Sequence, residues 1–432
     1  MYNNKKFIKI KQQLEKKSDY FCPAKWTELY LYLNHGNSNS CHHPIPHNIP
    51  ADLLDDPYVL HNTPHKLRMQ QLMIDGQRPQ ECHMCWHIED AGVDSDRYIK
   101  SQNWIDHVDD LEVNSHYVPQ LIELVFDNLC NLSCSYCDSG QSSKWASKIH
   151  QDPIHLISDY RELYRKIHIT PGETKPEYLA AWLKWWPMIR DQVSVLKISG
   201  GEPLISPNFW KFFDILGKSP ELRFHINSNL SVATKRLEKF LPQATQFKHI
   251  KISASIDGQG KIAEYARKGL DFDLFLKNCE YWCENTPSNC TLSFQSTVNI
   301  LSVWGFSSFL ELVVRFRQKY PTKIDNLYVA IVRFPEFQSI NLLPTALKQL
   351  LSREIQRTAD YNWQWFKPDE QSYIQKIIGY LNNNPTPMIE VSAINLKTDL
   401  KKFLQKYNQF DNLKYQQIFP QEFVSWIDNN TE

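Results

Sequence analysis

The chain lacks the features of a membrane protein and of a protein that binds polyanions. None of its apolar runs approaches the about 18–20 residues that cross a bilayer. Its 432 residues contain 48 Lys and Arg and 48 Asp and Glu, so the formal net charge is zero. Because binding to polyanions requires a basic surface, the sequence predicts no nucleic-acid partner and no membrane association.

The sequence also predicts no export signal. Residues 1–20 are polar and lysine-rich and contain no apolar signal region. The ten cysteines therefore indicate metal binding in a reducing compartment rather than disulfide bonds, and we predict a cytoplasmic protein.

The pattern of the chain predicts four segments. Residues 1–20 are a mobile or weakly helical lead, and residues 21–110 are a cysteine-rich module. Residues 115–340 alternate between strand and helix patterns, and residues 341–432 are mainly helical. Within the module, five histidines lie among prolines that oppose regular structure, so we expect a long loop held at its ends by cysteines. These histidines are His42, His43, His47, His61 and His65.

The central segment predicts an α/β fold with a parallel sheet, because strands that alternate with helices form βα units. The predicted strands lie near residues 120–127, 192–199, 221–227, 248–256, 290–299 and 325–333. The predicted helices lie near residues 141–165, 178–190, 206–217, 232–241, 258–284 and 304–319. Six strands are fewer than the eight that close a barrel, so we predict a partial (β/α)6 barrel of the TIM type.

A loop with three cysteines follows the first predicted strand. Cys130, Cys134 and Cys137 are separated by three and then two residues and can direct three thiolates to one centre. A structural zinc site has four ligands, and a disulfide requires an even number of cysteines. A cubane iron–sulfur cluster held by three thiolates leaves one iron open. A partial zinc site completed by a distant residue is the alternative.

With Tyr136 as its aromatic residue, the loop resembles the C-x3-C-x-aromatic-C motif of the radical S-adenosylmethionine (SAM) enzymes. The resemblance implies a 4Fe–4S cluster whose open iron binds the amino and carboxylate groups of SAM. It also implies reductive cleavage of SAM to methionine and a 5′-deoxyadenosyl radical, which abstracts hydrogen from the substrate. The partial barrel is the core fold of that family.

Two adjacent glycines follow the second strand of the central segment, although the chain has only 13 glycines. Gly200 and Gly201 would allow a ligand to approach the backbone, and Glu202 could accept a hydrogen bond from an ammonium group. With Pro203 they are similar to the family's GGEP motif, which holds the methionyl amino group of SAM. An ordinary turn is the alternative.

Polar residues follow the next three strands, at the edge where parallel α/β folds carry their reactive groups. Ser228 and Asn229 suit the ribose hydroxyls and are similar to a polar pair of the family, and Ser255 and Asp257 belong to an S-I-D-G run that relatives share. Asn299 follows the fifth strand. Each of these residues could instead form a turn or cap a helix.

One arginine follows the S-I-D-G run. Arg267 fits the position of an arginine that pairs with the methionyl carboxylate in relatives. A solvated charge on a helix is the alternative.

The amino-terminal segment contains a second group of cysteines. Cys22, Gly36 and Cys41, followed by Cys82 and Cys85, resemble the first part of the SPASM extension of radical SAM enzymes, or its shorter twitch form. The resemblance implies one auxiliary iron–sulfur cluster on the four cysteines. Here the cysteines precede the core rather than follow it, and the later SPASM cysteines are absent.

Zinc is the alternative for this second group, because neighbouring histidines such as His83 and His87 offer further ligands. We expect Glu89 and Arg97 to join the module to the core rather than to react. The other three cysteines, Cys279, Cys283 and Cys290, are predicted to pack in the core, the first two within an apolar helical stripe.

These observations predict a radical SAM enzyme that acts on a peptide or a small metabolite and receives electrons from a donor such as a flavodoxin or ferredoxin. An auxiliary cluster with four protein ligands would carry electrons and favour net oxidation or crosslinking. The lead before Cys22 is too short for a leader-peptide-binding domain, which weakens the peptide prediction. Arg333 and Glu336 are candidate substrate contacts, or form a surface salt bridge. A non-catalytic iron–sulfur or zinc protein that binds a partner is the alternative function.

Overall fold

A nine-stranded sheet organises the fold. The computed structural model of the protein describes residues 4–152, 154, 175–383 and 393–429. The strands in this part of the chain are β1 Glu28–Tyr32, β2 Asn37–Asn39, β3 His47–Asn48, β4 Leu121–Val125, β5 Ser133–Cys134, β6 Val195–Ser199, β7 Ser219–Ser228, β8 Phe247–Ser255, β9 Arg267–Lys268, β10 Cys290–Val298 and β11 Ile324–Ile331.

The large sheet has the order β11-β10-β8-β7-β6-β4-β1-β2-β3. From β1 to β11 every neighbouring pair is parallel, whereas β2 and β3 add to the other edge in antiparallel pairs. All six predicted strands are present, as β4, β6, β7, β8, β10 and β11, and they lie side by side in chain order. Their carboxyl ends therefore share one edge of a mixed α/β fold.

One parallel strand was not predicted. β1 comes from the amino-terminal segment and pairs with β4 along its whole length. Its five residues alternate between smaller and larger exposure, and so short a run gives little sequence signal. The cysteine-rich segment thus contributes a strand to the sheet of the core.

Helices flank the sheet and follow its strands. The helices of the described residues are α1 Asn4–Glu15, α2 Ala24–Thr27, α3 Pro64–Ile74, α4 His83–Asp90, α5 Asp96–Ser101, α6 Ser143–Gln151, α7 Pro176–Ile189, α8 Pro207–Phe213, α9 Lys235–Glu238, α10 Gly260–Ala266, α11 Phe272–Asn285, α12 Phe306–Lys319, α13 Thr345–Asn362, α14 Pro368–Asn382, α15 Ala393–Tyr407, α16 Tyr415–Ile418 and α17 Gln421–Asp428. Over these residues no helix is both long and apolar enough to cross a bilayer.

The two faces of the sheet differ in polarity. Along β7, Phe224 and Ile226 are fully buried in the main core, whereas His225 and Asn227 alternate with them and are half-buried. The tryptophans of α7 belong to the same apolar core. Cys279, Cys283 and Cys290 are buried there, which confirms that they serve packing.

The amino-terminal segment has its own smaller core. Phe7, Ile10 and Leu14 of α1 are buried in it, so the lead is helical and packed over its described residues. The prediction of a long loop among the prolines was wrong for residues 64–74. Pro64 occupies the first turn of α3, where its missing N–H costs nothing, and the Thr63 side chain accepts a hydrogen bond from the Lys66 backbone N–H.

Three of the predicted helices differ from the structure. The predicted helix at residues 141–165 is present as α6, and residues 153 and 155–165 lie outside the described part. The predicted helix at 232–241 is only the short α9 followed by a 3-10 turn. The predicted helix at 258–284 is divided into α10 and α11 by β9. The carboxyl-terminal segment is helical as predicted, with residues 384–392 and 430–432 outside the described part.

Candidate metal centre and cofactor site

The three-cysteine loop lies between β4 and α6, at the carboxyl edge of the parallel strands. Cys134 is buried, and Cys130 and Cys137 are half-buried free thiols. Burial and the neighbouring Cys134 thiol raise the pKa of Cys130 to about 12, and burial raises the pKa of Cys134 to about 11. Such thiols ionise only beside a compensating positive centre, and a bound metal ion supplies one.

Hydrogen bonds from distant elements hold the loop backbone. The Trp145 indole N–H of α6 donates to the Cys134 carbonyl at 2.7 Å, and the Ser142 hydroxyl donates to the Leu132 carbonyl at 2.7 Å. The Tyr407 hydroxyl of α15 donates to the Ser133 carbonyl at 2.6 Å. The loop is therefore fixed from both the core and the carboxyl-terminal helices.

A buried polar network of Arg267, Asp257 and Tyr136 lies against the three-cysteine loop. Arg267 Nε donates to Asp257 Oδ2 at 2.7 Å, and the Tyr136 hydroxyl donates to the same oxygen at 2.6 Å. Arg267 Nη2 donates to the Tyr136 hydroxyl at 2.8 Å, and Nη1 lies 3.8 Å from Cys134 Sγ. Asp257 is 0% and Arg267 7% exposed, which excludes a solvated helix charge. The network places Arg267 directly beside Cys134.

Backbone pairing explains why the predicted long helix is interrupted here. β9 pairs antiparallel with β5, so that Arg267 is opposite Cys134. Gly269 follows with φ +96°, and a Cβ there would lie 2.9 Å from the Asn131 carbonyl oxygen. Only a glycine allows the chain to turn away at so close an approach to the cysteine loop.

Gly200 and Gly201 pack closely against residues 125–129, at the end of β4 and the start of the cysteine loop. A Cβ on Gly201 would lie 2.1 Å from the Leu129 carbonyl oxygen, and the Glu202 N–H donates to that same oxygen at 2.6 Å. Gly200 has φ +107°, and a Cβ there would lie 2.8 Å from a Val125 methyl group. The glycines therefore serve first to bring this turn against the start of the cysteine loop.

The Glu202 carboxylate joins two strand ends. It is buried and accepts hydrogen bonds from the Ser228 hydroxyl (2.9 Å), the Asn229 N–H (2.7 Å) and the Leu204 N–H (3.0 Å). Burial raises its pKa to about 7. Pro203 begins the 3-10 turn that Glu202 caps. Because a carboxylate has about four acceptor positions, one position is left for an ammonium group.

The remaining predicted residues differ in burial and in their hydrogen bonds. The Asn299 side-chain oxygen Oδ1 accepts hydrogen bonds from the Leu301 and Ser302 N–H groups at the start of the following turn. The Asn229 side chain donates to Asn131 Oδ1 at 2.9 Å and so contacts the cysteine loop. Ser255 is half-buried at the end of β8. Arg333 is exposed and Glu336 is buried.

Three loop-supporting residues escaped the sequence analysis: Asn131, Trp145 and Tyr407. Asn131 stands inside the cysteine motif, and its side chain donates to the Ser231 carbonyl at 2.7 Å, so its position was a usable signal. Trp145 and Tyr407 lie in ordinary amphipathic helices, and only tertiary packing directs them to the loop.

The four amino-terminal cysteines line one cavity. Cys22, Cys41, Cys82 and Cys85 line it together with the basic residues Lys25, Arg97 and Lys100. Burial raises the pKa of Cys82 to about 11 and the pKa of Cys22 further above its usual value. Residues far apart in the sequence thus converge on one site.

Ion pairs surround this cavity. Lys25 pairs with Glu81, and Lys100 pairs with Glu28 at 2.6 Å. Lys25 and Lys100 are thus each paired with a carboxylate, so neither lysine is an isolated charge in the cavity wall.

Glu89 and Arg97 form a further ion pair at 2.6 Å, and Arg97 also donates to the Phe21 carbonyl at 2.9 Å. These partners all lie in the amino-terminal segment. The expectation that the pair joins this segment to the core was therefore wrong, because its contacts are internal.

The spacing of the thiols bears on the choice between zinc and iron–sulfur ligation. In tetrahedral zinc sites the thiolates lie within about 4 Å of one another, since each Zn–S bond is ~2.3 Å. Among the described residues, the group of three or more ligand atoms that lie within 4.8 Å of one another is His42, His43 and Asp96. Neither cysteine set contains three sulfur atoms that close together.

A family model described as the Radical SAM superfamily matches residues 124–298. The matched range begins in β4 and ends with β10, so it includes the three-cysteine loop, the Gly-Gly turn and the Arg267 network. This part of the chain is thus similar to radical SAM domains, which supports an enzyme with radical SAM chemistry, a 4Fe–4S cluster and SAM. The amino-terminal cysteines lie outside the matched range. Among curated proteins, none matches the chain.

Proposed function

We propose that the protein is a radical SAM enzyme that reductively cleaves SAM and abstracts hydrogen from a peptide or small-metabolite substrate. The main support is the position of three thiols, one buried and two half-buried, on a single loop at the carboxyl edge of the sheet, inside the matched range. When bound, the reduced cluster and SAM supply a 5′-deoxyadenosyl radical.

The chain's own residues would bind and orient these groups. Cys130, Cys134 and Cys137 would hold the cluster. The Gly200–Pro203 turn and the free acceptor position of Glu202 would bind the methionyl amino group. Arg267 has five N–H donors, of which three contact Asp257, Tyr136 and Cys134, so two remain for the methionyl carboxylate.

The polar strand ends would bind the rest of SAM. We assign the ribose hydroxyls to Ser228 and Asn229 and further polar contacts to Ser255 and Asn299. The Asp257 carboxylate would act indirectly, by holding Arg267 and Tyr136 in place.

We further propose that the sheet is a partial (β/α)6 barrel and that residues 21–110 are a twitch-like module. Four cysteines around one cavity, spaced more widely than one zinc ion requires, support an auxiliary iron–sulfur cluster there. With four protein ligands the cluster would carry electrons, which favours net oxidation or crosslinking. The ten free cysteines suit a reducing compartment such as the cytoplasm, where a flavodoxin or ferredoxin could supply electrons.

Anaerobic reconstitution tests the proposal. The wild-type protein should bind about eight irons and eight sulfides per chain, as expected for two 4Fe–4S clusters, and should form 5′-deoxyadenosine from SAM and dithionite. The triple variant with Cys130, Cys134 and Cys137 replaced by Ala should form none. Cys279→Ala is the matched control, because Cys279 packs in the core away from both sites.

Formation of 5′-deoxyadenosine by the triple variant would contradict the proposal. Its absence from the reconstituted wild type would favour the alternative function, a non-catalytic iron–sulfur or zinc protein that binds a partner.

A further inference from the structure

A row of charged side chains crosses the polar face of the sheet. Paired residues on neighbouring parallel strands lie side by side and point to the same face. The pairs Tyr30–Glu123, Glu123–Lys197, Lys197–His225, His225–Lys251 and Lys251–Thr291 form one continuous line across six strands. We call this line the charged row: Tyr30, Glu123, Lys197, His225, Lys251 and Thr291.

The charged row lies beneath the edge that carries the cysteine loop. Lys197 is two residues before the end of β6, His225 three before the end of β7, and Lys251 four before the end of β8. At about 3.3 Å per residue, the row is roughly 7–13 Å from the strand ends. A substrate that reaches the edge of the sheet could therefore extend down to the row.

Positive charge is concentrated at the centre of the row. Burial and the neighbouring Lys251 and Lys197 lower the pKa of His225 to about 2, so its imidazole is neutral at physiological pH. His249 and Arg223 lie close enough to contribute to the same effect. The positive charges of Lys251, Lys197 and Arg223 thus add to the effect of burial on one half-buried imidazole.

Two acids, Glu123 and Asp325, lie near the two lysines of the row, and Asp325 is shared with Lys367 at 3.4 Å. Asp325 lies 3.7 Å from the buried Lys251 ammonium group, which also donates to the Tyr328 hydroxyl at 3.3 Å. Glu123 accepts a hydrogen bond from Ser199 at 2.9 Å, and Lys197 has no ion-pair partner within the described residues. The half-buried Lys197 ammonium group therefore has no close ion pair among the described residues, and a bound anion would supply one.

We propose that Lys197, His225 and Lys251 bind an anionic group of the substrate, either a carboxylate or a phosphate. Lys197 and Lys251 are two strands apart, about 10 Å, so their long side chains can converge on one anion above His225. The neutral imidazole of His225 can donate one N–H to it. This inference rests on the proposed function and specifies its substrate class.

The position of the row also limits where the substrate reacts. An anion held there lies well below the carboxyl edge of the sheet, where the proposed cofactors bind. The carbon that loses hydrogen is therefore several bonds away from the anionic group.

Isothermal titration calorimetry tests the site directly. The reconstituted full-length protein is titrated separately with inorganic phosphate and with succinate at pH 7, without any SAM turnover. We expect one equivalent of at least one of these anions to bind, and its Kd to rise at least tenfold in Lys197→Gln and in Lys251→Met. Preference for phosphate or succinate identifies the class of the anionic group.

Lys248→Gln is the matched control. Lys248 belongs to the same strand as Lys251, but it is exposed and pairs with Glu221 at 2.8 Å on the surface. The control should bind the anion like the wild type. Circular dichroism and iron content verify folding, and Lys197→Gln decides the outcome if Lys251→Met does not fold.

Two results would overturn the inference: neither anion binds to the wild type, or all three lysine variants weaken binding equally. Failure of the proposed function would be seen in a different measurement. The protein would form no 5′-deoxyadenosine, whereas its binding of the anion could be unchanged.

Discussion

At the scale of single residues, Gly201 shows how closely the two motif loops approach each other. Gly201→Ala should disrupt the site, because the added Cβ would lie 2.1 Å from the Leu129 carbonyl oxygen and would meet rigid backbone. We expect a destabilisation of about 1–3 kcal/mol or more and a clear loss of bound iron. Urea unfolding and iron content of the reconstituted protein measure both effects.

Gly379→Ala is the control for this substitution. Gly379 lies within α14, and a Cβ there would meet nothing within 4 Å. Alanine is the better helix former by about 1 kcal/mol, so this variant should be as stable as the wild type or more stable. Equal stability of the two variants would mean that the turn can move away from the cysteine loop.

At the scale of secondary-structure elements, a buried ion pair joins β9 to the segment that follows β8. Arg267→Ala should cost about 3–5 kcal/mol, because it leaves the Asp257 carboxylate buried without its cation. Urea unfolding of the protein without its cluster measures the loss independently of SAM binding.

Two comparisons make this prediction specific. Arg78→Ala should change stability little, because Arg78 forms an exposed pair with Asp90. The double variant Arg267→Ala with Asp257→Asn should recover part of the lost stability, since no buried charge remains. A double variant that is less stable than Arg267→Ala alone would argue against the ion pair as the cause.

The elements also show where sequence reasoning succeeds. The six core strands were predicted because each contains a run of strand-forming residues whose local preference is clear from the sequence. The division of residues 258–284 into α10, β9 and α11 was not predicted, because it depends on a hydrogen-bond partner that is more than 130 residues away. Local propensity contains no information about that partner.

At the scale of the whole molecule, the carboxyl-terminal helices support a site to which they contribute no predicted ligand. The buried Tyr407 hydroxyl donates to the Ser133 carbonyl at 2.6 Å. Tyr407→Phe should therefore cost about 1–3 kcal/mol, because it leaves that buried carbonyl without its donor. The reconstituted variant should also lose its cluster faster in a chelator, which visible absorption records over time.

Tyr361→Phe provides the comparison, since Tyr361 is 83% exposed. It should match the wild type in stability and in the rate of cluster loss. A Tyr407→Phe variant that also matches the wild type would mean that the cysteine loop is held by the core alone.

The sequence by itself determined the chemistry available to this protein. The spacing of Cys130, Cys134 and Cys137, and the order of motifs along successive strands, follow directly from the chain because parallel strands bring their carboxyl ends to one edge. Residue types and spacings therefore sufficed to predict that these motifs lie at one edge of the sheet.

Only the tertiary structure decided which polar groups are engaged with one another. Glu202, Asp257 and Arg267 were each predicted to face a ligand, yet each is held by partners from other strands. The alignment of Lys197, His225 and Lys251 likewise depends on strand register. Register and burial arise from packing between distant segments, and for that reason they cannot be obtained from the order of residues alone.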